Sequence, residues 1–134
     1  MDFALSDEQV AIRAMARDFG RERIAPFASD WEAEGTIPRA VLAEAGALGL
    51  AAMYVPEELG GSGLSRLDAV LVFEALAEAC PAVSSFVSIH NMSVRMLARH
   101  GTDALRDRLL PAALTMEAVL AYCLTEPGSG SVRQ

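Results

Sequence analysis

Prolines and glycines cut this chain into stretches whose apolar residues recur every three or four positions, and that punctuation limits the fold more than any other feature. Ser6 followed by Gln9 has the spacing of a capping box, so a first helix starts near Asp7, with Ala11, Met15 and Phe19 stepping along one face. Arg13, Arg17 and Arg21 step along another face as a solvated row. Pro26 should kink or end this helix, and a short piece over residues 29–34 should stop at Gly35. Pro38 is placed to open a helix over residues 39–47, with Val41, Leu42, Ala45 and Leu48 inward and Gly49 past its end. Residues 54–64 hold one proline and three glycines and read as an ordered loop. Ser65 and Asp68 cap the next helix, whose apolar positions Leu67, Val70, Leu71, Phe73 and Ala77 run to about Ala79. Beyond Pro81, residues 82–99 carry the stripe Val83, Phe86, Val87, Val94 and Leu97, closed by His100 and Gly101. Thr102 caps a last helix with Leu105, Leu109 and Leu110, interrupted near Pro111 and resumed for one turn up to Thr115.

Aromatic residues make up only 6% of the chain while Ala, Leu and Val abound, which suits helix-on-helix packing, so the expected fold class is all-α. Residues 118–124 are different: short, apolar, containing Val119, Tyr122 and Cys123, and followed by turn residues. They read as a strand, and a strand needs partners that this sequence does not supply. Its partners are therefore expected from sequence beyond this run.

At 134 residues and 52% apolar content the chain has the material for one packed core. Its net charge of −7 argues against a nucleic-acid partner, which would require a basic surface. No apolar run approaches the roughly 20 residues that span a bilayer, and residues 1–9 carry acids where a secretory leader would carry bases. A cytoplasmic or organelle-matrix setting, away from membranes, is expected. Cys80 and Cys123 lie far apart with no C-x-x-C pattern, so both are expected to be free and buried, with no metal site.

Candidate chemistry concentrates in Thr125-Glu126-Pro127-Gly128-Ser129-Gly130-Ser131, where Pro127 before Gly128 favours a type II turn and small residues let backbone amides approach a ligand. Such a segment suits phosphates or a polar ring edge; equally, its composition suits a flexible tail. Ser85, Ser88 and Met92 fall at i, i+3 and i+7 on one helix face, where small residues suit a tightly packed helix seam. His90 and His100 lack a nucleophile motif or a second ligand at metal spacing and read as structural. Glu74 lies near an apolar face, where a partly buried carboxylate is conceivable and a paired or rim position is the plainer reading.

The run Tyr122-Cys123-Leu124-Thr125-Glu126-Pro127-Gly128-Ser129-Gly130-Ser131 resembles the flavin-contacting signature of the acyl-CoA dehydrogenases. The likeness spans nearly the whole chain, including Tyr54-Val55-Pro56-Glu57-Glu58, Gly60-Gly61-Ser62-Gly63-Leu64-Ser65 and the helix junction at Gly101, in the family's order. Ser88-Ile89-His90-Asn91-Met92 together with Thr115-Met116-Glu117 is most similar to the branch that handles a short branched acyl group. The resemblance implies FAD as cofactor, held in part by Tyr122, Cys123, Leu124, Thr125, Gly130 and Ser131. It implies an acyl-CoA substrate bordered by Ser85, Ser88 and Met92, with Ser131 at its CoA portion. An electron-transfer flavoprotein as electron acceptor and a homo-oligomer follow from the same likeness.

In that family a glutamate of a later helical domain takes the α-proton, and no residue here matches its position, so no catalytic residue is assigned. The family usually continues after the equivalent of Ser131 with an acidic residue, where this sequence has Val132-Arg133-Gln134. Two functions stay open: part of a flavin-dependent acyl-CoA dehydrogenase, inactive on its own, or a helical binding or self-assembly module that has lost the chemistry.

Overall fold

The structure is a computed structural model that describes residues 4–125 and Gly128. It is all-α, as composition and periodicity required. Helix α1 (Asp7–Phe19) opens with the expected capping box: the Ser6 hydroxyl oxygen accepts from the Gln9 N–H at 3.2 Å, and the Gln9 side-chain oxygen accepts from the Ser6 N–H at 3.1 Å. Helix α4 (Arg66–Ala79) is capped the same way by Ser65 and Asp68. The Gln9 amide also donates to the Asp68 carboxylate at 3.0 Å, so the two caps brace each other. Hydrogen bonds from Ser65, then from Gln9, hold the Asp68 carboxyl below its ordinary pKa.

α1 packs along α4 through Ile12, Met15, Ala16 and Phe19. Ala11, expected inward, is exposed, because the contact seam runs one position later. The expected α4 face is likewise rotated: Leu67 and Val70 are 53% and 54% exposed, while Ala69, Val72, Ala75 and Leu76 are buried beside Leu71. Alanines line this face because α1 and α4 approach closely, and a search for large apolar residues passes over them. Pro26 does disturb the first helix. It has no N–H, and its ring crowds the Glu22 carbonyl, so the chain widens into a π-turn (Gly20–Ile24) and tightens into a 3₁₀ turn (Ala25–Phe27). It then continues as α2 (Ala28–Glu34), stopped by Gly35 in the left-handed region.

Helix α3 (Arg39–Ala47) follows Pro38 and buries Val41, Leu42 and Ala45, whereas Leu48 is exposed because the helix has already ended. The chain next dives inward. Leu50, Ala51, Ala52, Met53 and Val55 are all buried although none is helical, and a 3₁₀ turn (Glu57–Leu59) follows. A buried irregular segment must find partners for its peptide groups. Ser62, Gly63 and Leu64 supply N–H donors to the carbonyls of Ala52, Val55 and Met53. Gly61 lies so close to Val55 that a Cβ there would overlap the Val55 carbonyl oxygen.

Helix α5 (Pro81–His100) crosses the domain, and α6 (Asp103–Leu114) packs on its C-terminal half. The interruption expected at Pro111 is absent: Pro111 is exposed on the outer side of α6, where water can serve the carbonyl left without a donor. No glycine follows α6. Met116 instead takes the left-handed conformation (φ 59°) and buries its side chain in the core, ending the helix by packing. Past it the expected strand does not form. Residues 119–125 have no regular secondary structure, since a ladder requires a neighbouring strand and none exists among the described residues.

Candidate functional site

α5 divides its circumference sharply. Val83, Val87, His90, Asn91, Val94 and Ala98 face the core, while Ser85, Ile89, Met92 and Met96 face outward with half-buried Ser88. Ser85, Ser88 and Met92 thus share the face expected of them, spread over about 10 Å of helix at 1.5 Å per residue. Ile89, Met92 and Met96 are 43%, 37% and 41% exposed, so this face is apolar as well as open.

The buried side of α5 holds four polar residues; the Ser84 and Ser93 hydroxyls donate to the Phe73 and Ile89 carbonyls, and the two fully buried ones, His90 and Asn91, make the longer reaches. Asn91 accepts from the Met53 N–H at 2.7 Å and donates to the Leu50 and Val87 carbonyls at 2.7 and 2.9 Å. It thereby serves two peptide groups of the inward-diving segment that Ser62, Gly63 and Leu64 do not reach. The His90 ring accepts the Leu120 N–H on Nδ1 at 3.1 Å, and its Nε2 lies 2.9 Å from the Ala113 carbonyl. An acceptor Nδ1 fixes the tautomer: the proton sits on Nε2 and is donated to Ala113. Burial pushes the His90 pKa down, against a smaller upward pull from the Ala113 carbonyl. The imidazole is a neutral brace, in keeping with the structural role expected of it.

Leu120 is the entry to the candidate flavin segment. Tyr122, Cys123, Leu124 and Thr125 are exposed, and their main chains make no hydrogen bond to another described residue. Cys123 is therefore not buried as expected, and Cys80 is only half-buried; both are free. Gly130 and Ser131 lie outside the described residues. The segment is tethered on the side of α5 opposite Ser88 and Met92, and no hydrogen bond joins the two sets among the described residues.

The remaining candidates settle simply. Glu74 is exposed, and His100 is exposed in the last turn of α5. Arg17 pairs with Glu78 through two hydrogen bonds, 2.9 and 2.8 Å, and Arg21 pairs with Asp18. Among the described residues no cluster of His, Cys, Asp and Glu could hold a metal, and no helix is long and apolar enough to cross a membrane. A groove of about 870 Å³ between α2, α3 and the start of α5 is lined by Trp31, Ile37, Leu42 and Phe86 and includes none of the expected site residues. What sequence reasoning missed is Asn91. Its signal was positional, a polar residue inside the buried arc 83, 87, 90, 91, 94, 98.

The helical domain thus has an open face on α5 and, on the opposite side of that helix, an exposed segment with no main-chain hydrogen bond to another described residue. Residues 6–117 match the profile of the "Acyl-CoA dehydrogenase, N-terminal domain" family, and the chain belongs to that family. It is 47% identical over 127 residues to the mitochondrial isobutyryl-CoA dehydrogenase of Dictyostelium discoideum, covering 95% of this chain and 30% of that protein. Butyryl-CoA dehydrogenase from Megasphaera elsdenii superposes with a TM-score of 0.83 at 29% identity, covering 97% of this chain and 35% of that one. The FAD complex of PigA superposes with a TM-score of 0.87 at 30% identity, covering 98% and 35%. The chain thus spans about a third of the length of these relatives.

Proposed function

We propose that this chain is the helical N-terminal part of an FAD-dependent acyl-CoA dehydrogenase acting on a short, branched acyl-CoA. The carrying observation is the 47% identity to an isobutyryl-CoA dehydrogenase across 95% of the chain, joined to an open α5 face of small and adaptable side chains. In this reading residues 1–117 are the helical domain and residues 118–134 begin the middle domain. FAD, when bound, supplies the acceptor for the substrate's β-hydrogen. Tyr122, Cys123, Leu124 and Thr125 offer main-chain groups and one hydroxyl to the flavin's polar edge, continued by Gly130 and Ser131. Ser85 and Ser88 leave room for a branch, Met92 adapts to it, and Ser131 meets the CoA portion. The carboxylate base comes from outside these residues, so the chain alone turns nothing over. The reading carries with it an electron-transfer flavoprotein as partner, a homo-oligomer, and a mitochondrial matrix or bacterial cytoplasmic setting.

A hybrid in which this chain replaces the matching segment of the Dictyostelium enzyme tests the proposal. The expected product is yellow, keeps FAD through gel filtration, and bleaches faster with isobutyryl-CoA than with a long straight-chain acyl-CoA. A folded, colourless hybrid, or one that no short acyl-CoA bleaches, refutes it. The exposed Ile89, Met92 and Met96 favour a second reading, a non-catalytic self-assembly module. That reading gains if the colourless hybrid self-associates and Met92→Glu disperses it.

A further inference from the structure

We infer that His90 is a positioning residue for the flavin-contacting segment: its neutral imidazole ties the Leu120 main chain to α5 and the end of α6, and so sets where residues 122–125 leave the helical domain. The inference rests on the functional reading above and deepens it.

The geometry is specific to one protonation state and one tautomer. Nδ1 must be bare to accept the Leu120 N–H at 3.1 Å, and Nε2 must carry the proton to reach the Ala113 carbonyl at 2.9 Å. His90 is fully buried, and among the described residues no charged side chain contributes to its shift; burial and the Ala113 carbonyl are the causes. Leu120 has its side chain half-buried against the cluster of Val55, Val94, Ala98 and Leu110, so packing and the ring hold it together. Among the described residues, the last tertiary hydrogen bond before the exposed segment is thus the one made by His90. A second tie, the Ala118 N–H to the Ala112 carbonyl at 2.9 Å, fixes the approach to Leu120 but not the direction beyond it.

Two substitutions separate this role from packing. The carboxamide oxygen of Asn occupies roughly the place of Nδ1, and the amide of Gln roughly that of Nε2. His90→Asn should therefore keep the Leu120 bond and lose the Ala113 bond, while His90→Gln does the reverse. In the hybrid, FAD affinity should fall about tenfold in His90→Gln, the worth of one hydrogen bond, and stay within about threefold of the parent in His90→Asn. Equal losses in both variants would show that His90 merely fills space, and would overturn the inference while leaving the functional reading intact. A parent hybrid without FAD would sink the functional reading and the positioning role with it. If a variant does not fold, the unaltered 134-residue chain decides by nitrogen NMR. The expected signature is an unprotonated Nδ1 with a Leu120 amide shift that follows the ring's titration. A proton on Nδ1, or a Leu120 amide indifferent to that titration, overturns the inference.

Discussion

Replacing Asn91 by Ala should destabilise this domain more than any single truncation of an apolar core residue of similar size. The side chain is fully buried and makes three hydrogen bonds. One of its acceptors, the Val87 carbonyl, lies four residues back in the same helix and keeps its helical donor. The Met53 N–H and the Leu50 carbonyl have no such reserve, because their segment is buried without regular structure. Each buried group left unmet costs about 1–3 kcal/mol, so two cost about 2–6 kcal/mol, and a value near 4 is expected. For a domain of this size that lowers Tm by roughly 10 °C or more. Urea and thermal unfolding followed by far-UV circular dichroism would measure it. Asn91→Asp tests the partition, since a carboxyl keeps an acceptor for Met53 and loses the donor to Leu50 while adding a buried charge or proton. A loss below about 1 kcal/mol in Asn91→Ala would refute the reasoning, because it would mean that water or a relaxed backbone serves the inward segment as well as Asn91 does.

Further outcomes follow from other parts of the structure. His90 has a pKa below its unfolded value near 6.5, so the unfolded chain binds more protons. Its contribution is complete above about pH 6.5 and lost as pH falls below it; urea midpoints between pH 7.5 and 5.5 should drop in the unaltered chain and stay flatter in His90→Gln. The depressed carboxyls of Asp68, Glu44 and Glu78 act in a lower window, with stability present above the ordinary carboxylate pKa and lost on further acidification. Gly61→Ala should cost about 2 kcal/mol or more by thermal melting, because the new methyl meets Val55 backbone that cannot yield cheaply. In the hybrid, Ser88→Leu should cut kcat/KM for isobutyryl-CoA by at least about tenfold with FAD content unchanged. Thr125→Ala should raise the FAD dissociation constant by about three- to tenfold, read by flavin fluorescence.

Helix boundaries were legible in the sequence because they are written in local chemistry. Ser6 with Gln9, Ser65 with Asp68, Thr102, Gly35 and Gly101 act on their own neighbours, and each stands where it was expected. Helix faces were less legible. Leu67 and Val70 look like core and lie outside, because α1 meets α4 along alanines, and how close two helices come is a property of the pair. The end of α6 was illegible for a related reason: Met116 takes a glycine's conformation, and burial of its side chain in the core holds it there. Of the candidate site, periodicity alone put Ser85, Ser88 and Met92 on one face of α5, where they stand; the roles given to them and to residues 122–125 came from the resemblance.

Residues 90 and 91 show why tertiary polar contacts resist prediction. In sequence they are a histidine without a catalytic partner and an asparagine unsuited to a helix interior. Side by side on the buried arc of α5, they reach to opposite ends of the chain's irregular structure. Asn91 serves the segment after α3, and His90 serves the segment after α6. Neither segment could be buried or fixed by apolar packing alone, since each brings peptide groups that demand a donor or an acceptor. A helix whose outer face stays exposed has only its inner face with which to organise the rest. Placing both polar residues there lets α5 hold the two loops while keeping the Ser85, Ser88 and Met92 face free. The double variant His90→Ala with Asn91→Ala should therefore lose less stability than the sum of the single losses, because once one segment has loosened the other has less native packing left to lose. Strict additivity of the two losses in urea unfolding would count against α5 as their common organiser.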